Sequence, residues 1–157
     1  MVELALGSKA PQFSLIDHNS KTRSLSDLKG KWVVLYCYPK DNTPGCTVEA
    51  IDFTRFKGDF EKLSCVVWGL SPDTAKSHCS FMDKQGLSIT LLSDEKREML
   101  ELYQAWGTKK FMGREYMGVL RSTFLISPDQ TIAYIWRDVS VKGHAEEVLE
   151  TLKRLQK

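Results

Sequence analysis

The chain has 157 residues, 42% of them apolar and 27% charged, with 22 basic and 20 acidic side chains giving a formal net charge of +2. That length fits one domain, which can bury about 68–70% of its unfolded surface and needs no disulfide or metal to hold it together. The small, scattered charge excludes a nucleic-acid or anionic-membrane surface, and no apolar run approaches the ~20 residues that cross a bilayer.

Residues 12–16 alternate polar and apolar and predict an edge strand, and Ser24-Leu-Ser-Asp-Leu28 predicts a short helical turn after a serine cap. Residues 31–38 are nearly all apolar, as in a strand covered on both faces. A helix is expected over 47–56, with Thr43 at the N-cap and Pro44 at the first helical position, where a missing N–H costs nothing. Phe53, Phe56 and Phe60 recur at helical spacing and read as core. Residues 64–70 predict a second buried strand, and Ser71-Pro-Asp73 a turn leading into a helix through Ala75 and Cys79 to Gln85-Gly86. A strand over 89–92, a helix over 94–103 and a long loop over 105–120 follow. Ser127-Pro-Asp-Gln130 between two apolar runs, 122–126 and 131–136, signals a hairpin, and 143–155 predicts an amphipathic helix. No repeat, low-complexity tract or linker divides the chain, so 1–157 is expected to be one α/β domain with a mixed sheet flanked by helices. The order of elements alone leaves several topologies open.

The stretch Pro39-Lys-Asp-Asn-Thr43-Pro-Gly-Cys46 joins the first buried strand to its helix. It puts Cys46 in the first helical turn, where free backbone N–H groups and the positive helix end favour an anion. A free thiol with pKa ~8.5 is only a few per cent thiolate at neutral pH, so such placement matters for nucleophilicity. The other cysteines form no CxxC and no zinc spacing; Cys37 and Cys65 lie in apolar strands and read as buried, inert thiols. His18, His78 and His144 are far apart in sequence without an HExxH partner, so surface or locally bonded histidines are expected and metal catalysis is disfavoured. His78 and Cys79 are adjacent on a helix and point about 100° apart, which argues against a Cys–His nucleophile pair. The opening Met1-Val-Glu-Leu-Ala-Leu-Gly-Ser8 lacks the basic and apolar parts of a signal peptide, so a reducing, cytoplasmic setting is expected.

Pro39, Thr43 and Cys46 make the pattern PxxxTxxC, and the longer string 38–50, with Ser71-Pro-Asp73, Ser77-His78, Leu91-Leu-Ser-Asp94 and Arg121-Ser-Thr-Phe-Leu-Ile126, resembles the peroxiredoxins of the bacterioferritin-comigratory, or peroxiredoxin Q, subfamily. The similarity runs from about Gly7 to the C-terminal helix. It implies a thioredoxin-like fold and a thiol peroxidase that reduces hydrogen peroxide and organic hydroperoxides through a Cys46 sulfenic acid. By the same resemblance, Arg121 supplies positive charge, Thr43 holds thiolate and peroxide through its hydroxyl, Pro39 covers the site, and the amides of Gly45 and Cys46 donate hydrogen bonds. Glu49, one turn after Cys46, either orients Arg121 or simply complements the helix dipole.

Many members carry a second cysteine five residues after the nucleophile, where this chain has Ile51. Others place it on the next helix, about a turn after Cys79, near Met82. Cys79 is the expected resolving thiol, reached through local unfolding, with thioredoxin or a similar dithiol as reductant and no metal, haem or flavin. A one-Cys peroxidase recycled by an external thiol is the alternative, as is a Cys46-based redox sensor or holdase-like binding protein. The resemblance implies a monomer or weak dimer. Met112, Tyr116 and Met117 form either an apolar collar at the peroxide entrance or ordinary packing.

Overall fold

Alternation by two along the central strands decides which side chain goes to which face of the sheet. The computed structural model describes residues 4–157; residues 1–3, the start of the segment read for a signal peptide, lie outside the described residues. The strands are β1 (Ser14–Asp17), β2 (Thr22–Ser24), β3 (Trp32–Cys37), β4 (Cys65–Ser71), β5 (Thr90–Ser93), β6 (Trp106–Phe111), β7 (Arg114–Val119), β8 (Ser122–Ile126) and β9 (Ile132–Trp136). The helices are α1 (Pro44–Arg55), α2 (Lys57–Lys62), α3 (Ala75–Gln85), α4 (Glu98–Leu102) and α5 (His144–Leu155), with a 3-10 turn at Leu25–Leu28.

Seven strands form one mixed sheet in the order β2-β1-β5-β4-β3-β8-β9. Strands β3, β4 and β5 run parallel, and β8 and β1 add antiparallel to either side of them. On one face Val34, Tyr36, Val67 and Leu125 pack with Cys46, Ala50 and Phe53 of α1, Phe60 of α2, Phe81 of α3 and Val148 and Leu152 of α5. On the other, Val33, Leu35, Cys37 and Phe124 pack with Phe13, Leu25, Leu100 and Tyr103. Burial on both faces explains why β3 and β8 read as continuous apolar runs.

Several expectations are corrected. Strand β1 is not at the edge: β2 is, and β1 lies between β2 and β5. The helix carrying the three phenylalanines breaks at Phe56 (φ −94, ψ 4), which separates α1 from α2. The predicted helix over 94–103 shrinks to α4, because Arg97 is left-handed (φ 63) and Asp94 accepts the Leu100 N–H at 2.8 Å ahead of it. The predicted loop 105–120 is a hairpin, β6 and β7 pairing as a separate two-stranded sheet around a turn at Met112 and Gly113, both with positive φ. Its charged residues, among them Lys109, Lys110, Arg114 and Glu115, face no core, so no apolar alternation marks it as strand.

Candidate active site

The antiparallel pairing of β3 with β8 sets Cys37 opposite Ser122, so the chain leaves β3 beside the point where Arg121 enters β8. Residues 38–43 then turn into α1, with Asn42 left-handed (φ 64) and Thr43 extended at the N-cap. Asparagine is among the few residues that adopt that conformation at low cost. Pro44 opens the helix, as expected, and Cys46 lies in its first turn, 1% exposed. The Thr43 side chain does not cap α1: its hydroxyl donates to Lys40 O at 2.8 Å. Pro39 is half-buried at the start of this loop.

Arg121 joins the two halves of the site. Its Nη2 donates to Cys46 Sγ at 3.2 Å and its Nη1 to Glu49 Oε1 at 2.6 Å. A Cβ on Gly45 would sit 3.4 Å from Nη2, so the guanidinium lies over the helix start. Glu49 is 1% exposed, and its second oxygen, Oε2, is buried without a hydrogen-bond partner among the described residues. Burial therefore pushes the Glu49 carboxyl up to about 7, against the opposing pull of Arg121. Burial works against the Arg121 charge too, but Glu49 and Cys46 together hold the guanidinium more basic than usual. Behind Arg121, His144 Nε2 lies 2.7 Å from Thr123 Oγ1. Burial, with Arg121 as a lesser cause, pulls the His144 imidazole down to about 4, so it stays neutral and adds no second cation.

The remaining thiols sit elsewhere. Cys37 and Cys65 are buried in β3 and β4; burial raises both thiols, Cys65 to about 12, which keeps them protonated and inert. Cys79 is half-buried on α3, and all four cysteines are free. His78 and His144 are buried and bonded, not at the surface. Met112, Tyr116 and Met117 are exposed on the hairpin, so ordinary packing is not their setting. Sequence reasoning left Asp41 unmarked. It is 4% exposed and takes a hydrogen bond from Tyr38 and another from Ser77, and the signals for it were its place in the string 38–50 and the Ser77-His78 pair it meets.

A buried cysteine in the first turn of a helix, bonded to an arginine that a carboxylate holds, on a sheet of this topology, defines a thiol peroxidase of thioredoxin-like fold. The sequence model of the AhpC/TSA family matches residues 6–135, and the chain belongs to that family. It is 45% identical over 150 residues to "Peroxiredoxin Bcp" of Bacillus subtilis, covering 96% of each chain. Among solved structures, a PrxQ mutant of Xylella fastidiosa superimposes with a TM-score of 0.94 at 37% identity over 100% of both chains. The Xanthomonas campestris bacterioferritin comigratory protein, whose structures address alkyl peroxide reduction, gives 0.90 at 35% identity, again over 100% of both.

Proposed function

We propose that Cys46 is the peroxidatic nucleophile of this thiol peroxidase, acting on hydrogen peroxide and organic hydroperoxides. The observation that carries the reading is the 3.2 Å hydrogen bond from Arg121 Nη2 to the Sγ of Cys46, a residue only 1% exposed. A charge-assisted donor in a dry site stabilises both the attacking thiolate and the negative charge that develops on the leaving oxygen. The sulfur attacks one peroxide oxygen and the O–O bond breaks. Cys46 becomes a sulfenic acid, two electrons pass from sulfur, and the leaving oxygen takes a proton to give water or an alcohol. Because the Thr43 hydroxyl spends its proton on Lys40 O, its oxygen can only accept, which suits it to the O–H of a bound peroxide and not to the thiolate. Glu49 orients the Arg121 fork, and Pro39 limits water at the mouth of the site.

Cys79 is the resolving thiol in this reading. Its sulfur attacks the sulfenic sulfur, the S–O bond breaks, and the oxygen leaves as water with the thiol proton, giving a Cys46–Cys79 disulfide. Cys79 lies one turn before Met82 on the same helix, α3, and is half-buried, and its attack goes through local opening of the Cys46 segment. Thioredoxin or a similar dithiol then returns the enzyme to its reduced form, in the cytoplasm, with residues 1–157 acting as one domain and as a monomer or weak dimer. No helix among the described residues is long and apolar enough to cross a membrane.

The test is one equivalent of hydrogen peroxide added to reduced protein, followed by peptide mass spectrometry without reductant. A Cys46–Cys79 link is the expected result. Sulfenic acid persisting on Cys46 with Cys79 free would replace the two-Cys cycle by the one-Cys one. An unoxidised Cys46 would overturn the peroxidatic assignment.

A further inference from the structure

The loop that carries Pro39 and Thr43 is bound to the helix that carries Cys79, and a buried carboxylate, Asp41, makes the contact. Asp41 Oδ1 accepts the Tyr38 hydroxyl at 2.7 Å, and Oδ2 accepts the Ser77 hydroxyl at 2.8 Å. His78 Nδ1 lies 2.8 Å from the same Oδ2 in ion-pair geometry, and its Nε2 lies 2.9 Å from Leu92 O at the end of β5. A carbonyl can only accept, so Nε2 carries a proton and this bond anchors the imidazole to β5. Asp73 adds a second tie, accepting the Asp41 backbone N–H and the Ser71 hydroxyl, each at 2.8 Å. Asp41, Asp73 and His78 place ligand-type atoms within 4.8 Å of one another, but those atoms are already taken up by these hydrogen bonds, which makes the cluster a fastening and not a metal cage.

The fastening runs through stacked rings to α1, the helix that carries Cys46, and ends one residue before Cys79. Tyr38 stacks on Tyr36 (ring centroids 5.4 Å apart), and Tyr36 stacks on Phe53 of α1 (4.7 Å). At the other end, Ser77 and His78 occupy the first turn of α3, immediately before Cys79. While Asp41 is held, residues 38–43 cannot move away from α3. We propose that Asp41, with its donors Tyr38 and Ser77 and with His78 packed against it, is a latch that keeps the Cys46 loop in its peroxide-reactive form and must release before Cys46 can leave its buried position for a resolving thiol. The latch rests on Cys46 as the peroxidatic residue. It sets the competition between two fates of the sulfenic acid. One is disulfide formation with loss of water. The other is oxidation by a second peroxide, in which the sulfur takes one oxygen to become a sulfinic acid and the peroxide leaves as water or an alcohol. A tighter latch favours the second. Asp41, Ser77 and His78 are positioning residues in this scheme and touch no substrate.

Amide hydrogen exchange on the reduced full chain tests it, in Ser77→Ala and Asp41→Asn. A hydrogen bond to a carboxylate shifts a local equilibrium by about tenfold or more. Ser77→Ala is therefore expected to speed exchange over residues 38–47 about tenfold and Asp41→Asn further, with the β3 amides unchanged. The same variants should convert the sulfenic acid to disulfide faster and leave less sulfinic acid under excess peroxide. Exchange over 38–47 unchanged within twofold in Ser77→Ala overturns the latch. So does equal acceleration across β3 and β8, which would make the cluster a general stabiliser. Accelerated exchange without any Cys46–Cys79 disulfide removes Cys79 as the resolving thiol and supports the latch.

Discussion

Replacing Glu49 by glutamine should make the protein more stable at pH 8 and less active. Glu49 is 1% exposed, has one carboxylate oxygen bonded to Arg121 at 2.6 Å and leaves the other without a partner among the described residues. Burial raises its pKa from an ordinary 4.5 to about 7 even with the guanidinium in place. The native state thus holds the proton more tightly than the unfolded chain. Below pH 4.5 both states are protonated and nothing is lost; between 4.5 and 7 stability falls as pH rises; above 7 the full cost, about 3 kcal/mol, is present. Glutamine keeps the shape of the protonated carboxyl, so by the same linkage Glu49→Gln should gain up to about 3 kcal/mol at pH 8, roughly 6–12 °C in Tm, and under about 1 kcal/mol at pH 5. Its amide oxygen holds Arg121 without charge assistance, and the rate with hydrogen peroxide should fall by about tenfold. Urea denaturation of both proteins at pH 5 and pH 8, beside stopped-flow peroxide reduction at pH 8, makes the measurement. A variant less stable than the parent at pH 8, by more than at pH 5, would show that attraction to Arg121 outweighs the burial of Glu49 and would refute the reasoning.

His144 should produce the opposite slope. Its native imidazole titrates at about 4 against an ordinary 6.5, so its contribution is complete above pH 6.5 and is lost as pH falls through 4, a change of about 3 kcal/mol. Stability measured from pH 7 to pH 4 should fall less steeply in His144→Gln; an unchanged slope would clear His144 of this role. Arg121→Lys keeps a charge but not the fork that reaches Cys46 and Glu49 together, and it should cost ~100-fold in the second-order rate with hydrogen peroxide. Competition kinetics would check this, and a loss under threefold would mean that charge alone suffices. At Gly69 an added Cβ would meet Leu91 Cδ2 and Tyr36 Cζ, both at 2.8 Å, so Gly69→Ala should destabilise by about 1–3 kcal/mol in urea denaturation. A neutral result would mean that Tyr36 can move aside.

The elements nearest the chemistry were the ones most legible in the chain. Pro44 and Cys46 mark the start of α1 by local rules that act within one turn, and Thr43 takes the N-cap position although its hydroxyl bonds Lys40 O instead of the helix. Strands β3, β4 and β8 announce themselves because burial on both faces demands continuous apolar sequence. The hairpin of β6 and β7 gives no such signal, since most of it is exposed, only its base at Trp106 and Val119 meets the core, and exposed strands carry the polar residues of a loop. The helix break at Phe56 and the shortening of α4 depend on single backbone angles that composition does not encode.

Local sequence, then, sets out an activated cysteine at a helix start between buried strands, because capping, dipole and burial preferences operate over a few residues. The resemblance across the chain named Arg121 and Glu49 as companions, but their meeting depends on tertiary structure. Only the pairing of Cys37 with Ser122 brings Arg121 to within 3.2 Å of a thiol 75 positions earlier, and only packing of α1 against the sheet buries one Glu49 oxygen without a partner among the described residues. Asp41 is the clearest case. Its neighbours Ser77 and His78 lie 36 or more residues away, so its role follows from how the loop after β3 docks on α3, which no local rule fixes.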